Sequence, residues 1–235
     1  MKAVILAAGQ GVRMRPLTYE VPKPMLEVHG KPLVAYTVAM LPAEIDEVVF
    51  VVGYLGEQIK KYFGDSYLGK KISYVQQDEL NGTGGALWLC RPQLTKRFVV
   101  LMGDDMYCAH DMIRCLEHEQ SMLVKEVTVE ERRGYGAMTM DAHGNLTAIE
   151  EKELSPGDHC LVNTGLYVLT PQIFHYDLVP IKDGKEFGLP QTVVTMTNNS
   201  HPVRLITTDY WLPVGYPDDL KRAEIHLRKH GMITD

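Results

Sequence analysis

Short apolar runs recur along the chain at Ala3–Leu6, Glu47–Val52, Ile72–Val75, Phe98–Met102, Met122–Val129, Leu161–Leu169 and Val203–Thr207. Their length and richness in Val, Ile and Leu suit buried strands rather than helices. Between the early runs, Leu33–Leu41, Leu55–Phe63 and Gly85–Leu94 carry helical patterns. Strands alternating with helices predict an α/β fold, a mostly parallel sheet with helices on both faces. In such sheets ligands bind beyond the carboxyl ends of the strands. The Gly-rich stretch after Leu6, the loop after Val75 and Asp104 after Met102 all fall at such ends.

Past residue 120 the pattern turns more strand-like. Ala137–Met140 and Leu146–Ile149 flank the turn-forming cluster Asp141-Ala142-His143-Gly144-Asn145, which predicts a β-hairpin. Helices are expected at Pro171–Tyr176, Leu189–Thr197 and Pro217–His230. The last opens with proline and two aspartates and ends in Arg228, Lys229, His230 and Gly231, a polarity that matches the helix dipole and its stop signal. With no repeat, low-complexity tract or linker, residues 1–235 read as one domain with a small antiparallel extension.

Composition narrows the function classes. Hydrophobic residues at 45% and charged residues at 23% suit a soluble protein with a sizeable core. Cys90, Cys108, Cys115 and Cys160 form no C-x-x-C pair and no metal-site spacing, so they read as free thiols in a reducing compartment. The opening MKAVILAAG is too soon interrupted for a signal peptide, and no run is long enough to span a bilayer. A cytoplasmic protein without a membrane partner is expected. The net charge of −6 argues against a nucleic-acid surface. In the first 31 residues, however, Lys2, Arg13, Arg15, Lys23 and Lys31 face only Glu20 and Glu27. Positive charge is therefore concentrated locally, which suits a small polyanion.

The chemistry centres on Leu6–Met25, LAAGQGVRMRPLTYEVPKPM. Gly9 and Gly11 let backbone approach a ligand and turn its amides inward. Arginine adds a planar donor fork for phosphate oxygens and lysine a mobile point charge. Prolines on both sides of Lys23 restrict its backbone and lower the entropy cost of presenting its ammonium. The dinucleotide fingerprint fails, because Met14 stands at its third glycine, and no Gly-Lys-Ser/Thr of a P-loop is present. Farther on, Gln77–Leu87 (QDELNGTGGAL) offers an amide side chain and close-packed glycines suited to the edge of a base. Asp104 and Asp105 offer hard oxygens of the kind Mg²⁺ takes when phosphates supply the rest.

The stretch ILAAGQGVRMRPLT…PKPM resembles the signature of the sugar-1-phosphate nucleotidyltransferases, of the glucose-1-phosphate thymidylyltransferase and mannose-1-phosphate guanylyltransferase kind. The resemblance covers nearly the whole chain. It implies an enzyme with a Rossmann-like core that joins an NTP to a sugar 1-phosphate, giving an NDP-sugar and pyrophosphate. By the same resemblance, the loop with Leu6, Ala8, Gly9 and Gly11 wraps base and triphosphate, and Arg13 binds the triphosphate. Lys23 contacts phosphates at the reacting centre, Gln77 and Gly82 belong to the nucleoside loop, and Asp104 binds Mg²⁺. On the sugar side, Tyr135-Gly136, Glu151-Lys152 and Asn163 in Asn163-Thr164-Gly165 match the family's sugar-phosphate pattern, although Glu153 follows Lys152 where many relatives have proline.

One segment departs from that pattern. Trp211-Leu212-Pro213-Val214-Gly215-Tyr216-Pro217 has proline where the family carries a second metal-binding aspartate, and Tyr216 where it has threonine. Either Mg²⁺ leans on Asp104, phosphates and water, or another acid such as Asp209 moves in, or metal binding and activity are weakened. Transfer to a non-sugar phosphate such as phosphocholine, and a non-catalytic nucleotide-sugar sensor, are the alternatives. Base, sugar and any homo-oligomer are left open.

Overall fold

The computed structural model describes residues 1–129, 131, 135–150, 155, 157–229 and 233. In chain order the strands are β1 (Lys2–Ala7), β2 (Glu27–Val28), β3 (Lys31–Pro32), β4 (Glu47–Val52), β5 (Ser66–Tyr67), β6 (Lys70–Gln76), β7 (Phe98–Met102), β8 (Asp105–Met106), β9 (Ser121–Thr128), β10 (Ala137–Met140), β11 (Leu146–Glu150), β12 (His159–Leu169), β13 (Pro180–Ile181), β14 (Glu186–Phe187), β15 (Arg204–Thr207) and β16 (Leu212–Pro213). The α-helices are α1 (Leu33–Ala39), α2 (Gly56–Phe63), α3 (Gly82–Trp88), α4 (Ala109–Leu116), α5 (Leu189–Thr197) and α6 (Pro217–Lys229).

Ten strands make one sheet, in the order β11-β10-β12-β7-β1-β4-β6-β5, with β9 branching from β12 and β15 pairing with β9. β1 lies between β4 and β7 and is parallel to both, and β4 is parallel to β6. β12 runs antiparallel to β7, β9 and β10. The expected α/β Rossmann-like architecture with an antiparallel extension is therefore present.

Alternation along β1 explains the layers. Ala3, Ile5 and Ala7 face a core completed by Val34 and Val38 of α1, Ile59 and Phe63 of α2, and Met112 and Cys115 of α4. Val4, Leu6 and Ala8 face the opposite core, with Leu87 of α3 and Leu189, Val193 and Met196 of α5. A strand buried on both faces reads as one apolar run, as its sequence does. A third cluster joins Met14 and Leu26 of the opening loop to Leu33, Tyr36, Leu212, Val214 and the α6 residues Ala223 and Leu227. It seats the loop against α6.

Several elements differ from expectation. The helix read at Gly85–Leu94 begins at Gly82 and stops at Trp88, and Pro92 lies in a 3₁₀ turn, Arg91–Gln93. Proline removes a backbone donor and clashes with the preceding turn, so it stands outside the helix proper. Pro171–His175 is likewise a 3₁₀ turn. The helix α4 was not legible, because it buries only Asp111, Met112 and Cys115. None of the helices among the described residues is long and apolar enough to cross a membrane.

Ile5 is fully buried at the centre of β1. We expect Ile5→Ala to lose about 2–5 kcal/mol of stability in urea unfolding. Ile225→Ala on α6, where the residue is 67% exposed, should stay within about 0.5 kcal/mol.

Candidate active site

The carboxyl ends of β1, β6 and β7 open onto one cleft of about 570 Å³. Its floor is the opening loop. Gly11 adopts a left-handed conformation (φ 61°, ψ 37°) and leads into a 3₁₀ turn, Val12–Met14. A Cβ on Gly11 would lie 2.9 Å from the Lys23 Cβ and 3.0 Å from the Thr18 Cγ2, so glycine there lets the lysine stem pass close by. Thr18 Oγ1 donates to the Gly11 carbonyl at 2.8 Å. Met14 is buried as the loop's anchor, which leaves Arg13 exposed at the rim.

Lys23 opens the third 3₁₀ turn of the loop, Lys23–Met25, with Pro22 preceding it and Pro24 inside it. Its ammonium pairs with the Asp104 Oδ2 at the end of β7, and the two side chains are 11% and 27% exposed. Asp105 is half-buried, and its Oδ2 accepts from the Trp211 Nε1 at 3.1 Å. Withdrawal of its carboxylate from water, with the Asp104 charge second, pushes its pKa up to about 8, against the pull of Lys23 and of hydrogen bonds from Trp211 and Val214. β8 and β16 pair so that Asp105 stands opposite Pro213.

The far end of the cleft is formed by the loop after β6, with Gln77, Leu80 and Gly82. Gln77 is buried, and its Nε2 donates to the Asn81 Oδ1 at 3.1 Å and the Gly82 carbonyl at 3.4 Å. Gly82 has φ +94°, and a Cβ there would lie 2.5 Å from the Phe187 carbonyl oxygen. That contact belongs to the β13–β14 hairpin, whose Phe187 N–H donates to the Asn81 carbonyl at 2.7 Å. The hairpin brings Ile181, Lys182 and Glu186 to the cleft, with the Lys182 ammonium 2.8 Å from both Glu186 carboxylate oxygens. Reading the sequence missed this wall. The Asp183-Gly184 turn was its available signal.

A smaller cleft of about 210 Å³ adjoins the first and is lined by Tyr135, Asn163, Tyr167, Pro190, Trp211 and Pro213, among others. Asn163 donates from Nδ2 to the Tyr167 hydroxyl at 2.5 Å and accepts from the Gly165 N–H at 2.9 Å. The Tyr135 and Trp211 rings meet edge to face, with centroids 5.7 Å apart. Both clefts share Arg13, Lys23, Thr83, Met102, Asp104 and Gly215.

Of the residues singled out in the sequence, Leu6, Ala8, Gly9, Gly11, Arg13, Lys23, Gln77, Gly82 and Asp104 line the larger cleft, and Asn163 lines the smaller. Gly136 lines neither, and a Cβ there would collide with the Ile149 side chain. Glu151 and Lys152 lie outside the described residues. Asp209 lines neither cleft, and its carbonyl accepts from the Lys125 Nζ at 2.9 Å.

A family model described as nucleotidyl transferase matches residues 2–230. The chain belongs to the nucleotidyl transferase family. It is an enzyme of the sugar-1-phosphate nucleotidyltransferase class, as the opening motif implied. It is 34% identical, over 97% of both chains, to the UTP--glucose-1-phosphate uridylyltransferase AglF of Haloferax volcanii. It is 30% identical to the D-glycero-alpha-D-manno-heptose 1-phosphate guanylyltransferase of Campylobacter jejuni, over 93% of this chain and 96% of the other. A 30% match to the Bifunctional protein GlmU of Methanocaldococcus jannaschii takes in 97% of this chain and 54% of that one, so the transferase spans about half of that relative. The fold matches a crystal structure of a Bacillus anthracis protein described as a glucose-1-phosphate thymidylyltransferase, at a TM-score of 0.79 and 24% identity, covering 100% and 97% of the two chains.

Two glycines separate packing from ligand approach. Gly82→Ala meets backbone in a left-handed conformation and should lower stability by at least about 1 kcal/mol. A Cβ on Gly9 would meet nothing within 4 Å. Gly9→Ala should therefore unfold within about 0.5 kcal/mol of the wild-type chain and yet bind NTP more weakly in calorimetry.

Proposed function

We propose that the larger cleft holds an NTP and the smaller one a sugar 1-phosphate, with nucleotidyl transfer where the two clefts meet. The observation that carries this reading is the shared set of Arg13, Lys23 and Asp104 at the junction. The base would lie toward Gln77 and Gly82, the triphosphate along Gly9–Arg13, and the sugar against Tyr135, Asn163 and Trp211.

The reaction needs little covalent help from the protein. A sugar-phosphate oxygen, already anionic, attacks the α-phosphorus of the NTP, and the bond to the bridging oxygen breaks as pyrophosphate leaves. No proton has to be removed. The barrier is repulsion between anions and the charge gathering on the leaving group, so positioning and fixed positive charge dominate. Arg13, exposed at the rim, offers a fork to the triphosphate. Lys23 reaches the junction with its stem packed against Gly11 and its head already held by Asp104. It is thus oriented before substrate arrives. Asn163, fixed through both ends of its amide, suits a sugar hydroxyl.

The donor set at the junction also bears on Mg²⁺. Asp104 is partly exposed there, and no cluster of three or more His, Cys, Asp or Glu among the described residues is arranged to cage a metal. Asp104, with the half-buried Asp105 beside it in the smaller cleft, fits a hard cation that takes most of its ligands from phosphates and water. Bound at Asp104, Mg²⁺ would neutralise charge on the phosphate oxygens. Asp209 lines neither cleft and Pro213 has no side-chain donor, which supports a site built on Asp104.

Pyrophosphate release from a panel of NTPs and sugar 1-phosphates tests the reading. The Haloferax volcanii relative makes UTP with glucose 1-phosphate the first pair to try, and the Campylobacter jejuni relative adds GTP. Release should require both substrates and should stop when EDTA removes the metal; a folded protein releasing pyrophosphate with no pair would sink it. Lys23→Ala, in protein shown by urea unfolding to remain folded, should lower turnover by about 10²–10³. Near-wild-type turnover would remove Lys23 from the mechanism.

A further inference from the structure

Arg13 sits at the junction, but an exposed arginine has many rotamers, and something has to hold its head in place. The guanidinium carbon of Arg13 lies over the Tyr216 ring, 5.3 Å from its centroid. One guanidinium nitrogen also comes within 4.0 Å of where a Cβ on Gly215 would sit. Gly215 and Tyr216 are in turn fixed by Asp219, whose Oδ2 accepts both of their N–H groups at 2.9 Å. Asp219 is buried, its Oδ1 accepts from Arg222 at 3.0 Å, and its own N–H donates to the Tyr216 carbonyl at 2.9 Å.

These bonds make Tyr216 the residue that caps α6, immediately before Pro217 at the first helical position. Asp219, three residues on, reaches back to the cap N–H as in a capping box. The preferred caps are Ser, Thr, Asp and Asn, whose short side chains accept an N–H of the first turn. A phenol ring does not do this. Tyr216 is also 45% exposed, which makes it a poor choice for the core. Helix capping and burial both disfavour tyrosine here, whereas a ring face over a guanidinium rewards it.

We infer that Tyr216 is a positioning residue for Arg13, holding its guanidinium at the junction of the two clefts so that an NTP triphosphate meets an oriented donor fork. This rests on the proposed role of the larger cleft as the NTP site. Asp219 is the fixed point, Gly215–Tyr216 the arm and Arg13 the group presented.

Calorimetric binding of NTP in Mg²⁺, with urea unfolding on the same proteins, tests the arrangement. Tyr216→Thr is the informative variant, because threonine is a good cap and lacks the ring. A purely structural role for Tyr216 predicts unchanged or higher stability and unchanged affinity. The positioning role predicts the same stability with an NTP Kd raised about three- to tenfold. Tyr216→Phe, which keeps the ring, should recover most of that loss. In an Arg13→Ala background, Tyr216→Thr should weaken binding no further. If Arg13→Ala weakens binding while Tyr216→Thr does not, or if the Tyr216→Thr loss persists in full without Arg13, the inference is overturned. If Arg13→Ala binds NTP like the wild type, the NTP reading of the cleft fails, and the inference falls with it.

Discussion

The ion pair between Lys23 and Asp104 joins the opening loop to the end of β7 across 81 residues of sequence. Both side chains are mostly withdrawn from water, and removing one member of such a pair leaves the other uncompensated. The pair therefore requires the loop to come down onto the sheet. Met14 and Leu26 seal it there against α6, and Gly11 lets the lysine stem through. The same pair concentrates a cation and an anion at the point where two clefts meet.

Much of this was legible. Strands buried on both faces betray themselves as apolar runs, and Glu47–Val52 and Phe98–Met102 have the bounds read from the sequence. Arg13 and Lys23 share the loop after β1, and they meet the distant Gln77, Asp104 and Asn163 because each follows or interrupts a strand near the same edge. What escaped was set by tertiary contact. The hairpin β13–β14 has two residues per strand, too few to show a period, and is held by Phe187 bonding to Asn81. The helix α4 spends a buried position on Asp111, which accepts from the Thr208 hydroxyl. Gly136, chosen from a motif, packs against Ile149.

The segment from Trp211 to Tyr216 was the sequence's chief irregularity, and the structure gives it two neighbours. Pro213 lies across from Asp105, whose carboxylate is engaged by Trp211. Tyr216 lies against Arg13. A single short stretch thus touches the acid beside the proposed metal ligand and the arginine proposed for the triphosphate. Asp219 holds the N–H groups of Gly215 and Tyr216, which ties the later part of this stretch to the start of α6.

The docking of β13–β14 onto the Gln77–Gly82 loop also bears on how the chain matures. Ile181 and Glu186 complete a cleft whose floor begins at Leu6. A chain folded only through its first four parallel strands would hold the floor and the loop but lack the wall. On the proposed reading of the cleft, nucleotide binding is then a property of the finished fold, and a ligand that binds only that state draws the folding equilibrium toward it by mass action. A nucleotide held in that cleft would thereby be a late clasp between the opening loop and the β13–β14 hairpin as well as a reactant.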